Sequence, residues 1–189
     1  MLFRSLMKRL PKICLAACVA ALTTTSALAA DFKLVSPDIA AKSKIGEAQV
    51  FNGFGCSGKN QSPALRWGTP PKGTQSLAVT VYDPDAPTGS GWWHWVVVNI
   101  PADQTGLPAG FGNQEQTPFG LQTTTDFGQP GWGGPCPPAG AHAHRYIFTV
   151  YALKTPKIEV PASASGAMVG FNIKANAIAQ SSFTAYYGR

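Results

Sequence analysis

All three histidines of the chain, His94, His142 and His144, fall within two short segments: Tyr82 to Trp95 (YDPDAPTGSGWWHW) and Gly131 to Tyr151 (GWGGPCPPAGAHAHRYIFTVY). The same segments carry a pair of carboxylates, Asp83 and Asp85, and a cluster of tryptophans around His94. In Asp83-Pro84-Asp85-Ala86-Pro87 each proline fixes its own φ and biases the preceding residue toward extended geometry, so both carboxylates leave an apolar strand on a stiff exit. Alone, such a motif is more often a turn with aspartate as a local cap. Alternation along the strand after Trp92 predicts Trp92 and His94 on one face and Trp93 and Trp95 on the other, an imidazole beside an indole wall. The bland alternative is a core histidine with its nitrogens satisfied internally. His144 and Tyr146 share a face of another strand, with Arg145 opposite. Gly131 to Gly134 and Pro135 to Pro138 would shape the mouth of a site, where glycine N–H groups can approach an anion.

The elements that must hold these residues are short. Apolar and β-branched runs at Phe32 to Val35, Gln49 to Phe51, Leu77 to Tyr82, His94 to Ile100, Leu121 to Asp126 and Arg145 to Leu153 alternate with Gly/Pro clusters, the pattern of strands and turns. Ile147 to Ala152 reads as a strand buried on both faces. One segment reads as a helix: from a cap at Ser163 or Ser165, Met168, Phe171, Ala175 and Ile178 form an apolar stripe, flanked by Val169, Ile173 and Ala177. With 189 residues, 44% hydrophobic and 13% charged, and no composition shift after residue 30, the chain is expected to form one domain, residues 30–189. The expected fold is mainly β, an antiparallel β-sandwich with a C-terminal helix.

The first 29 residues read as a signal peptide: a basic stretch to Lys12, an apolar run from Ile13 to Leu22, and Ala27-Leu28-Ala29 before the cleavage point. That run is too short to span a bilayer, so stable membrane insertion is not expected. Leu15-Ala16-Ala17-Cys18 resembles a lipoprotein box but follows Lys12 too closely. Cleavage would remove Arg4, Lys8, Arg9 and Lys12, leaving 11 basic against 9 acidic residues and reducing the formal charge from +6 to +2. No basic run survives, which argues against nucleic acid as a partner. A periplasmic or secreted location favours a disulfide between the two remaining cysteines, Cys56 and Cys136, over separate thiols or a metal pair.

These motifs resemble the phosphatidylethanolamine-binding protein family, also called Raf kinase inhibitor-like proteins, in its bacterial form. DPDAPTGSGWWHWVVVNIP (Asp83 to Pro101) is similar to the family's first signature and GPCPPAGAHAHRYIFTVYAL (Gly134 to Leu153) to its second. FNGFGCSGKNQSPALRW (Phe51 to Trp67) and ASGAMVGFN (Ala164 to Asn172) extend the resemblance over nearly the whole predicted domain. It implies a Greek-key sandwich with a small anion pocket lined by Asp83, His94, His144 and Tyr146, walled by Trp92 and Pro137 and supported by an Asp85–Arg145 ion pair. In that pocket His94 and His144 would each donate an N–H to a phosphate head group, and affinity would fall as pH rises past the imidazole range near 6.5. The segment between Pro87 and Trp92 is shorter than in animal members, and Trp93 stands where those often carry a second histidine.

The expected role is therefore a non-catalytic, cofactor-free binding protein for a small phosphate-containing or other anionic ligand. Family analogy adds inhibition of a protease or another protein partner, and a homodimer is an admissible assembly. Two rival chemistries stay open at this level. A hydrolase has Asp, His and hydroxyls at hand, but there is no G-x-S-x-G elbow, and Ser57 and Ser90 have no evident base. A metal site could use His142 and His144 on one strand face with His94 and Asp83.

Overall fold

The computed structural model describes residues 32–114 and 117–189; the predicted signal peptide, residues 1–29, lies outside the described residues. Among the described residues ten strands and one helix follow in the order β1 (Leu34–Val35), β2 (Asn52–Gly53), β3 (Cys56–Ser57), β4 (Leu65–Trp67), β5 (Ser76–Asp83), β6 (Trp92–Pro101), β7 (Gly106–Leu107), β8 (Leu121–Gln122), β9 (His144–Leu153), α1 (Gly166–Asn176) and β10 (Ala177–Tyr187). A 3-10 turn, Phe111–Asn113, separates β7 from β8. The strands pair antiparallel in a five-stranded sheet of order β10-β9-β5-β6-β8, a three-stranded sheet of order β1-β4-β7, and the β2-β3 ribbon. Among the described residues no helix is long and apolar enough to cross a membrane.

The central strand β5 is SLAVTVYD, and all but Tyr82 of its residues are buried. A near-continuous apolar run suits a strand covered on both sides, and β5 is covered on both. On one side Leu77, Val79 and Val81 join Trp95, Val97, Phe148 and Val150 in a core shared with Leu34, Leu65, Trp67 and Leu107 of the smaller sheet. On the other, Ala78 joins Val96, Val98 and Leu153 beneath Val169 and Ile173 of α1.

The helix begins where a cap permits: the Ser165 hydroxyl accepts the Met168 N–H. Its buried face differs from the predicted stripe. Met168 and Phe171 are 56% and 74% exposed, whereas Gly166, Val169, Gly170 and Ile173 are buried. The reason is the Trp93 indole, which lies so close to Gly166 and Gly170 that a Cβ on Gly166 would overlap it. Large residues on the expected stripe cannot approach that ring, so the small-residue face turns inward. Nor is the helix C-terminal. It stops at Asn176, and Ile178 belongs to β10, which pairs with the whole of β9. β10 was not expected because Ala, Ser and Gln dilute its β-branched content. Of the predicted strand Leu121 to Asp126 only Leu121–Gln122 joins a ladder, and the strand expected at Gln49 to Phe51 forms one step later, at Asn52–Gly53.

Candidate functional site

β5 ends at Asp83, which is 3% exposed, and the stiff Asp-Pro-Asp exit fixes what its carboxylate meets. Oδ1 accepts the N–H of Asp85 at 2.8 Å, and Oδ2 takes the Nδ1–H of His144 at 2.7 Å. His144 opens β9 opposite Tyr187 of β10, and two residues on the same face presents Tyr146. The Tyr146 hydroxyl is buried without a hydrogen-bond partner, in a residue 1% exposed. Burial, reinforced by the charge of Asp83, pushes its phenol pKa above the ordinary range, so it remains a donor.

His94 reaches the same place through a register shift. β5 pairs Val81 with Trp95 and Tyr82 with Trp93, which leaves His94 as the extra residue of a bulge. The bulge breaks the simple alternation expected for the tryptophans. Trp93 packs on the helix side beside Tyr82, Trp95 joins the opposite core, and His94 faces the cavity with Trp92. Its Nδ1 lies 2.6 Å from the Gly133 carbonyl, while the Gly133 N–H donates to the His94 carbonyl at 2.9 Å. A carbonyl only accepts, so Nδ1 carries the proton and Nε2 holds the lone pair. Burial pushes the His94 pKa down to about 4. Near neutral pH His94 is thus neutral and accepts at Nε2, in place of the expected donor.

The structure brings Asp83, Trp92, His94, Pro137, His144 and Tyr146 to the lining of one cavity of about 150 Å³. Apolar groups form its wall. The Phe127 ring stands edge-on to His94 and Trp92 and packs against Phe51, and it occupies the space a side chain on Gly133 would need. Phe54, 68% exposed, stands at the mouth. Among the described residues no lysine or arginine lines this cavity.

The mouth is tied from two sides. The Cys56–Cys136 disulfide closes across 80 residues of sequence and joins β3 to the proline-rich segment. The Arg189 guanidinium donates to the carbonyls of Pro137 at 2.8 Å, Gly55 at 2.9 Å and Phe54 at 3.1 Å. Asp85 and Arg145 form a two-pronged ion pair, 2.6 and 2.9 Å, outside the cavity lining. The guanidinium holds the Asp85 carboxyl down at about 2.

Sequence reasoning did not single out Phe54, Phe127 or Arg189. The first two carried a usable signal, an aromatic residue inside a glycine-flanked turn (NGFG and DFG), where a large ring has no reason to be unless it covers something. Arg189 carried none. The metal set does not assemble: both Asp83 oxygens are occupied, His142 is exposed, and no three His, Cys, Asp or Glu side chains converge among the described residues. Ser57 and Ser90 lie outside the cavity lining.

The family model described as phosphatidylethanolamine-binding protein matches residues 35–188. The UPF0098 protein YbcL of Escherichia coli (strain K12) is 52% identical over 172 residues, covering 89% of this chain and 94% of its own. The UPF0098 protein YbhB of the same organism is 55% identical over 157 residues, covering 82% and 99%. Among solved structures, that of E. coli YbcL, described as a new member of the mammalian PEBP family, superposes with a TM-score of 0.82 at 50% identity over 85% of this chain and 99% of that one. A Chlamydia trachomatis homologue, CT736, superposes with a TM-score of 0.71 at 26% identity over 84% and 98%.

Proposed function

The chain belongs to the phosphatidylethanolamine-binding protein family, and from that premise we propose that it is an exported, non-catalytic binding protein for a small phosphate-type anion such as a phosphoethanolamine head group. The observation that carries this reading is the Tyr146 hydroxyl, a buried donor with no protein partner, aimed into a cavity beside the Asp83–His144 pair. A buried polar group left unpaired is costly, and a ligand oxygen would satisfy it. His144, whose Nδ1 is turned to Asp83, leaves Nε2 as a further ring nitrogen at the cavity lining. The apolar wall keeps water from competing for these groups and strengthens each hydrogen bond.

Export is supported by the predicted signal peptide and by the Cys56–Cys136 disulfide, a bond that persists in oxidising compartments. In the same reading the two antiparallel sheets around the shared core form the Greek-key sandwich that the resemblance implies. The absence of lysine and arginine from the described cavity lining favours a singly charged anion over a doubly charged one. Since the second phosphate proton leaves near pH 6, affinity should fall as pH rises from 6 to 8. Calorimetric titration with phosphoethanolamine at both pH values tests this, with binding expected at pH 6 and weakened roughly five-fold or more at pH 8. Absence of heat at either pH would remove the anion site and leave a protein partner as the ligand of this mouth.

A further inference from the structure

Gly133 controls His94, and Asn60 controls Gly133. The Asn60 Oδ1 accepts the Gly134 N–H at 2.8 Å, and its Nδ2 reaches the Trp132 carbonyl at 3.4 Å, so one side-chain amide spans the peptide units on both sides of Gly133. Asn60 is itself anchored. Its N–H donates to the Val50 carbonyl at 2.8 Å, its carbonyl accepts the Asn113 Nδ2 at 2.7 Å, and it sits at φ 49° in the left-handed region that asparagine tolerates. None of these contacts involves the ligand cavity directly, and Asn60 is absent from its lining.

We infer that Asn60 is a positioning residue that, through Gly133, fixes His94 as the Nδ1–H tautomer, so that the Nε2 lone pair selects an oxyanion still carrying a proton. The inference rests on the anion-site reading above and names the class of anion. An acceptor in a dry cavity faces a ligand P–O–H as a hydrogen-bond partner, but faces a fully ionised oxygen as a second lone pair. A site built around a hydrogen bond rejects an analogue that lacks the matching group, because its own buried polar atom is then left unpaired. At pH 6 inorganic phosphate is mainly the singly charged dihydrogen form, so it differs from sulfate, an ion of nearly the same size and shape, in carrying protons and in one unit of charge. With the Tyr146 hydroxyl as donor and His94 Nε2 as acceptor, the site matches the protonated anion and not sulfate. The carboxylates of Asp83 and Asp126 bear on the His94 ring, and among the described residues no lysine or arginine lines the cavity to offset this preference.

The test uses inorganic phosphate and sulfate as probes of the full protein at pH 6, with ring ¹⁵N NMR of His94 in the ligand-free state. Wild type should bind phosphate at least roughly ten-fold tighter than sulfate, and its His94 should show a protonated Nδ1 and a bare Nε2. Asn60→Gly keeps the left-handed backbone and deletes the amide clamp. It should bring in the Nε2–H tautomer and shrink the phosphate-to-sulfate ratio, whereas Asn60→Asp, which keeps the acceptor for Gly134, should restore part of it. Equal binding of the two anions by wild type, or a bare Nδ1 in wild type, overturns the inference without any variant having to fold. Failure to bind either anion overturns it together with the anion site, and so separates the two readings.

Discussion

On one face of the five-stranded sheet, Trp93 lies across Gly166 and Gly170 while Val96, Val98 and Leu153 meet Val169 and Ile173, side chains matched by shape. One residue along the same strand, His94 points to the opposite face, where Val81, Trp95 and Phe148 give way at the end of the strands to Asp83, His144 and Tyr146. Each end departs from regularity: beneath the helix a second bulge places Asn99 in the left-handed region with its side chain bonded to the Ile158 backbone, whereas the cavity end has a bulge at His94, a proline-stiffened exit after Asp83, and Asn60 in the left-handed region. Within that end most polar atoms are already committed to the protein. The Tyr146 hydroxyl and the outer nitrogens of the two buried histidines are what the site has left to offer. The comparison thus separates groups that hold the fold from groups that await a ligand, and substitutions can pull the two apart.

The sharpest break is Asp83→Ala, which strands the His144 Nδ1–H and the Asp85 N–H in a buried place. We expect a loss of about 4 kcal/mol in chemical denaturation, together with loss of anion binding. A loss under about 1 kcal/mol would mean that water replaces the carboxylate at no great cost, and the cavity end would then count as surface.

Acidification probes the same end without a mutation. His94 has a folded pKa of about 4 against an ordinary 6.5, so its neutral form is the one the fold accommodates. Its contribution is fully present above pH 6.5 and is lost as pH falls toward 4, because the unfolded chain takes up the proton first. His94→Gln, which keeps a donor for Gly133 and cannot titrate, should flatten stability across that window. A limb of unchanged steepness in the variant would place the titrating group elsewhere.

Gly166→Val tests the other face. Its Cβ would overlap the Trp93 ring, and overpacking of that kind costs about 2 kcal/mol. Phosphate affinity of the folded protein should not change. A parallel loss of affinity would show that Trp93 transmits strain to His94 and that the two faces are not independent.

How much of this was visible in the sequence follows the same division. Asp83, His94, His144 and Tyr146 were legible because unusual residue types crowd into two segments, and β5 and β9 because long apolar runs admit few other readings. The orientation of α1 was not, since it depends on Trp93 coming within reach of two glycines from the far side of the sequence. The protonation role of His94 was equally hidden. It is decided by a carbonyl 39 residues away, and residue spacing along one strand says nothing about which ring nitrogen meets it. β10 escaped for a different reason: its partner β9 supplies the apolar face and the hydrogen bonds, so its own residues need little β preference.

Tyr146→Phe separates binding from stability most cleanly. Removing an unpartnered hydroxyl should leave stability unchanged or raise it by up to about 1 kcal/mol, while phosphate affinity falls roughly ten-fold with the loss of one donor to a charged ligand. A destabilised variant would mean that the hydroxyl holds a bound water that is part of the fold.

The smallest effect is expected outside the cavity, at Asp85 and Arg145. The guanidinium is about half exposed, 51%, and such a pair gains little over its hydration. Arg145→Ala should therefore lower the melting temperature only slightly and leave phosphate affinity unchanged. Its acid window identifies it. With the Asp85 carboxyl held at about 2 against an ordinary 3.8, the pair contributes fully above pH 3.8 and is lost as pH falls through 2, below the window assigned to His94. A melting curve measured against pH should then show two steps, the upper abolished by His94→Gln and the lower by Arg145→Ala. If Arg145→Ala instead weakens phosphate binding, the ion pair outside the lining reaches the ligand through the Asp85 N–H that Asp83 accepts, and the division between fold-holding and ligand-facing groups would have to be redrawn around Asp83.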